Sequence, residues 1–302
     1  MASGIQSPGS TAGFDDRKLG QILLLVTACG WGLNWSVLKF VLLDWPPLFA
    51  RGTAGLIGAA FLALIAFSRG EKLAVPSGAW LPLTFAAGIN VFAWMGFTAL
   101  SLNWLKVSEG ALIAYSMPIW AMLIAWPLHG ERPDRRSLLA LALGVAGIAI
   151  LMGGPDFAAR KLPGVLFGLA AAILFAVGTV MARKPIAMPA TAATAWQVAL
   201  GCLPMVLLSL VLEEPRAFAL SGHGLLGLAY MAIGPMALCY LSWFGALKRL
   251  PTAVAATGML IVPIVGTVSA VPLLGDVLGP REILAIVITL SGVGLALRAR
   301  RG

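Results

Sequence analysis

Runs of about twenty apolar residues, each closed off by charged or turn-forming residues, recur from one end of the chain to the other. Their spacing predicts helices over about 19–41, 46–68, 80–102, 107–127, 136–152, 163–184, 190–212, 223–248, 252–273 and 280–299. Most match the length that spans hydrocarbon. The fifth, Arg136 to Met152, is the shortest, and the tenth has the same pattern. The predicted class is therefore an all-α integral membrane protein of ten transmembrane helices.

The pattern is also duplicated. Shifting Ala111 to Ile150 by 145 positions finds the same residue at 11 of 40 sites, among them Pro118 and Pro263, Gly130 and Gly275, Arg136 and Arg281, and Gly147 and Gly292. That is roughly three times the chance level of about one in ten. An acidic residue follows the loop glycine in both copies, as Glu131 and Asp276. Each copy reads as an apolar helix holding a proline, a short polar turn and a second apolar helix.

The expected organisation is an N-terminal cytoplasmic tail over 1–18, a first five-helix repeat over 19–152 and a linker over 153–162. A second five-helix repeat over 163–299 and a C-terminal tail over 300–302 complete it. Five is odd, so the second copy enters the membrane from the opposite face and the repeats are inverted. Such halves can open a shared cavity to one side and then to the other.

Composition sharpens this reading. The chain of 302 residues is 60% apolar and 11% charged, where a water-soluble domain carries about a quarter charged residues. Met1 to Asp16 has no apolar core of a cleavable signal, so insertion is expected to use the first helix. With the N-terminus inside, seven of the 21 basic residues fall outside (Lys39, Arg51, Lys106, Arg160, Lys161, Arg216 and Arg281) and the rest inside. Both termini are thus expected in the cytoplasm. The net charge of +9 belongs to loops facing anionic lipid, and no basic run is interleaved with aromatics as nucleic-acid binding would require. Cys29, Cys202 and Cys239 lie inside apolar runs and read as small packing residues.

Catalytic chemistry finds no constellation. All twelve acidic residues fall in tails, loops or helix ends, so a mid-membrane carboxylate for proton or sodium coupling is not expected. His129 and His223 fall at opposite faces, which excludes a joint metal site or relay. No Walker lysine loop is present, and serines such as Ser116, Ser209, Ser269 and Ser291 lack a buried base and read as helix-to-helix hydrogen bonders. Neither a catalytic residue, a metal nor a cofactor is expected.

Polar and aromatic residues at mid-span remain. Trp31, Asn34, Trp35 and Leu38 share one face of the first helix, and Asn90, Trp94, Phe97, Thr98 and Ser101 one face of the third. Further candidates are Tyr115 and Trp120 on the fourth helix, Phe175 and Thr179 on the sixth and Gln197 on the seventh. Tyr240 and Trp243 on the eighth and Met259 on the ninth complete the set. Deep tryptophans serve packing as readily as cavity lining, but an amide facing lipid has no partner, so Asn34 and Asn90 favour a cavity. Lys39 and Arg51 could reach inward to a carboxylate, but at span ends snorkelling to the headgroups is favoured. Pro118 and Pro263, in equivalent places, are candidate hinges.

The five-plus-five repeat, the phrase Gly30-Trp31-Gly32-Leu33-Asn34-Trp35 and the turns Gly130-Glu131 and Gly275-Asp276 resemble the drug/metabolite transporter superfamily. The chain looks most like its EamA-type exporters, and among those the bacterial YddG-type amino acid exporters. The resemblance implies an inner-membrane protein that exports aromatic amino acids and their analogues through a cavity lined by both halves. It departs from the small four-helix multidrug relatives, whose first helix carries a membrane glutamate, since this one offers Asn34. The expectation is alternating-access export of small amphipathic metabolites, above all aromatic and other apolar amino acids, with a multidrug or cationic-dye exporter as the alternative. The expected partners are that small-molecule substrate and membrane lipids, not nucleic acid, with a monomer as the working state.

Overall fold

A computed structural model describes residues 14–130, 134–152, 159–181, 186–215, 220–251, 254–255 and 258–299. Among them every regular element is helical. Helix α1 (Phe14–Val41) leads to α2 (Pro47–Ser68), whose extended Pro46 and first-turn Pro47 set its start without losing a needed donor. Next come α3 (Trp80–Ala86), a π-helical stretch (Ala87–Gly96) and α4 (Phe97–Ser101) as one rod, then α5 (Val107–Ala114), α6 (Met117–His129) and α7 (Arg135–Met152). The second half holds α8 (Leu162–Met181), α9 (Ala190–Leu212) and a rod of α10 (Gly222–Ile233), a second π-helical stretch (Gly234–Leu238) and α11 (Cys239–Leu247). It ends with α12 (Ile261–Leu274) and α13 (Pro280–Ala299).

Among the described residues, seven helical segments are long and apolar enough to cross a membrane, and two shorter apolar helices, Leu138–Ile150 and Ile261–Leu274, accompany them. Large apolar side chains cover the outside, with Leu81, Val211, Leu43 and Phe67 each more than 70% exposed. Such a surface suits lipid and not water.

Helix α2 lies along α9, and α7 along α13. Helix α1 packs on α12 and on the α10–α11 rod, while α8 packs on the first π-helical rod and on α5 and α6. Small residues bring these axes together. A Cβ on Gly292 would sit 2.8 Å from the carbonyl oxygen of Ala140, and one on Gly147 would strike Thr289. Cys202 fills the space over Gly55 and Cys239 that over Gly30, the packing role read from their apolar surroundings.

The two copies of the hairpin share their backbone signals. Gly130 and Gly275 end α6 and α12 in the left-handed conformation, at φ 71° and φ 70°, where a side chain would be strained. Pro118 and Pro263 differ from the sequence expectation of a proline within a continuous helix. Turns at Tyr115–Ser116 and Met259–Leu260 break the chain first, so each proline lies in the first turn of a new helix, where its missing donor costs nothing. Glu131 lies outside the described residues, as do 1–13 and 300–302 of the expected tails and 153–158 of the expected linker, whereas 14–18 already belong to α1.

Carboxylates fasten helix ends across the two halves. Glu213, after α9, accepts from the N–H groups of Leu48 and Phe49 at 3.1 Å each and so caps α2. Glu71 accepts from the N–H of Ala192 on α9 at 3.1 Å. Glu109 accepts from the N–H of Lys106 on its own helix and pairs with Lys161 at 2.8 Å. From the other end, Arg281 donates to the carbonyl of Ile150 as α7 closes.

Asp44 accepts from both the N–H (3.0 Å) and the hydroxyl (2.6 Å) of Ser221, whose oxygen in turn caps Gly224 at the start of α10. The Ser221 hydroxyl, then its N–H, hold the Asp44 carboxyl below the ordinary carboxylate range. A depressed pKa stabilises the fold above the unfolded value, near pH 4, and that support is lost as pH falls through the folded value. Asp44→Ala should therefore lower the melting temperature of the purified protein at pH 7, and the difference should shrink as acid takes the carboxyl through its depressed folded value. The expected loss is about 1 kcal/mol or less for so exposed a cap. A difference that stays constant as the pH falls would remove the carboxylate from this role.

Candidate functional site

A cavity of about 450 Å³ lies between the halves, walled by α1, α2, the two π-helical rods, α8 and the broken regions around Tyr115 and Met259. It contains ten of the twelve residues singled out from sequence: Trp31, Asn34, Asn90, Trp94, Tyr115, Phe175, Thr179, Tyr240, Trp243 and Met259. Trp35, Leu38, Thr98 and Pro118 join them.

Trp120 and Gln197 lie outside the wall. Trp120 donates its indole N–H to Ser116 at 3.0 Å and packs with Ala121, Ala125 and Ala176. Gln197 is half-buried on α9, which turns Val198, Cys202 and Met205 into the packed core instead. Pro263 is buried but not part of the wall. Ser116, in the turn, bonds the carbonyl of Ile113 at the end of α5 and Ser209 that of Val206 in its own helix, whereas Ser269 meets Ser36 across a helix interface at 2.8 Å.

The aromatic rings form two connected groups. Trp31 of the first half meets Tyr240 edge-on at 5.3 Å and Trp243 at 6.0 Å, both from the second half. Trp94 meets Phe175 at 4.8 Å and Tyr115 at 6.1 Å, and Tyr115 continues to Trp35 at 6.3 Å. Edge-on and tilted pairs of this kind hold rings in fixed orientation. Trp31 also donates its indole N–H to the carbonyl of Pro235 at 3.1 Å, within the second π-helical stretch, where wide turns leave carbonyls available.

Polar groups in the wall are few. Thr98 and Thr179 donate their hydroxyls to Trp94 and Phe175 on their own helices. Gly178 makes room for Asn90, since a Cβ there would come within 2.6 Å of its Oδ1. Asn34 is 5% exposed and its Oδ1 has no partner among the described residues.

The two basic residues at span ends behave differently from the snorkelling expectation. Lys39 turns inward and donates to the carbonyls of Leu102 and Leu105 where α4 ends, serving as a C-cap. Arg51, in the second turn of α2, is 7% exposed and part of the cavity wall. It was legible as a cation near a membrane boundary; its inward direction comes from the tight seat of α2 on α9. Together the wall offers an apolar aromatic enclosure with one cation and a few amides and hydroxyls.

Comparison with known proteins places these features. The profile of the EamA-like transporter family matches residues 18–153 and again 162–298. A Salmonella typhimurium protein named "Probable amino-acid metabolite efflux pump" is 29% identical over 92% of this chain and 94% of its own length. The "Aromatic amino acid exporter YddG" of Ancylobacter novellus is 26% identical over 68% of this chain and 71% of its own. A solved crystal structure superposes with a TM-score of 0.65 at 25% identity, covering 93% of this chain and 98% of the other. With two copies of the family domain and relatives named as exporters, this multi-pass membrane protein is a transporter and not an enzyme, and it belongs to the EamA-like transporter family.

Proposed function

We propose that the protein exports small amphipathic metabolites, foremost aromatic and other apolar amino acids, across a bacterial inner membrane by alternating access. The observation that carries the reading is the cavity between the halves, with aromatic rings from both halves facing one another across it. Its volume of about 450 Å³ accommodates a solute the size of an aromatic amino acid. The relatives named for amino-acid metabolite efflux and aromatic amino acid export agree with that substrate class.

In this reading the chain is two inverted five-helix repeats over 19–152 and 163–299, with both termini in the cytoplasm. The helix neighbours support it: α2 with α9 and α7 with α13 are pairs of corresponding helices, and the pairing of α1 with α12 has its counterpart in α6 with α8. The π-helical stretches also fall in corresponding rods. The breaks before Pro118 and Pro263 serve as the bends when the cavity changes sides, and the ten wall residues first read from sequence bind the solute.

The test is uptake of radiolabelled phenylalanine, tryptophan and threonine into liposomes holding the purified protein, with and without an imposed pH gradient. Saturable flux of the aromatic amino acids, indifferent to the gradient, is the expected result. Transport of cationic dyes with no flux of any amino acid overturns the reading in favour of a drug exporter.

A further inference from the structure

The cavity holds two polar groups whose needs the protein itself leaves unmet. Arg51 forms no hydrogen bond or ion pair among the described residues, and its Nε and Nη1 are buried without partners. The ionisable groups around it are Cys202, Tyr240 and Tyr115, all neutral near pH 7, so among the described residues nothing there balances the guanidinium. The carboxylate that docks on the start of the same helix, Glu213, spends both oxygens on Leu48 and Phe49. A guanidinium stays charged wherever it is placed, and burying it without an anion is strongly unfavourable. Asn34, on the same wall, keeps an acceptor with no donor among those residues.

We propose that Arg51 receives the carboxylate of the transported solute and Asn34 accepts from its ammonium group, so that the substrates are free α-amino acids with apolar side chains. This rests on the transport reading above. The guanidinium fork matches a carboxylate with two parallel hydrogen bonds, which an amide, an ester or a bare amine does not offer. The aromatic wall then takes the side chain. The unpartnered atoms are closed off from water in this conformation, so a carboxylate meets them as the Arg51 side chain turns toward the cavity. A cationic solute lacking a carboxylate meets an unbalanced positive charge and is rejected.

The experiment measures competition against radiolabelled phenylalanine in liposomes holding the full-length protein. The competitors are phenylalanine, phenylalaninamide, phenethylamine and N-acetylphenylalanine. Wild type should be blocked by phenylalanine and poorly by the other three. Arg51→Met should weaken phenylalanine by about 10- to 100-fold, the range for a charge-assisted hydrogen bond, while leaving phenylalaninamide as it was. A merely structural role for Arg51 would lower both together. Arg51→Lys keeps the charge without the fork and should fall between.

If Arg51→Met does not fold, the wild-type competitor series decides alone. Phenylalaninamide competing as well as phenylalanine, or an unchanged preference in folded Arg51→Met, overturns the carboxylate assignment and leaves the exporter reading standing. Strong competition by N-acetylphenylalanine overturns the part assigned to Asn34. Absence of any amino acid flux in wild type, with dyes carried, overturns both.

Discussion

Replacing Gly292 with valine should abolish the recovery of folded, monodisperse protein. The new Cβ would lie 2.8 Å from the carbonyl oxygen of Ala140 and 3.1 Å from the amide nitrogen of Gly144, both backbone atoms of α7 that cannot step aside. Two helices would have to part along their seam, and overpacking of that kind costs about 3 kcal/mol or more. Gly147→Val should behave alike, since its neighbours include Thr289 and, at 3.0 Å, the carbonyl of Ala285. Gly88, exposed and with nothing within 4 Å of its Cβ position, should accept alanine without loss. Size-exclusion profiles of the three variants in mild detergent separate these outcomes. A monodisperse Gly292→Val with wild-type melting would mean that α7 and α13 do not pack as described.

The second large effect should appear in transport. Trp94→Ala removes the ring that joins Phe175 to Tyr115 across the cavity, and amino acid flux should fall at least about tenfold with membrane insertion unchanged. Asn34→Ala should act in the same direction. Trp94→Phe keeps an aromatic face and should recover part of the flux. Trp120→Ala, outside the wall, should leave it near wild type. Equal losses from Trp94→Ala and Trp120→Ala would point to general destabilisation in place of a binding role.

Much of this arrangement was readable in the chain itself. A polar or aromatic residue at three- and four-residue spacing within an apolar run marks an inward face, and that logic brought Trp31, Asn34, Asn90 and Trp94 to one cavity. The shared Gly130 and Gly275 were visible as a repeat because both must turn left-handed. Trp120 and Gln197 went astray because α6 and α9 are apolar nearly all round, so the sequence there carries little facing information. The π-helical stretches were not readable: a shift from four- to five-residue hydrogen bonding follows from packing between rods and leaves no compositional mark. The carboxylate caps were missed for a related reason. Each depends on a contact between residues far apart in the chain, such as Glu213 with Leu48, and a linear pattern does not encode who the distant partner is.

Those distant caps set an order of events during synthesis. Asp44 waits for Ser221, which is 177 residues downstream, and Glu71 waits for Ala192, 121 residues downstream. At about 5–20 residues per second, a ribosome needs roughly 9–35 s to deliver the first of these partners after Asp44 has emerged. Through that interval the N-terminal half sits in the bilayer with its carboxylates unclaimed and α2 still short of the Glu213 that will close its end. The nascent half is therefore an unlatched intermediate, and the newborn transporter locks only as α9 and α10 leave the ribosome.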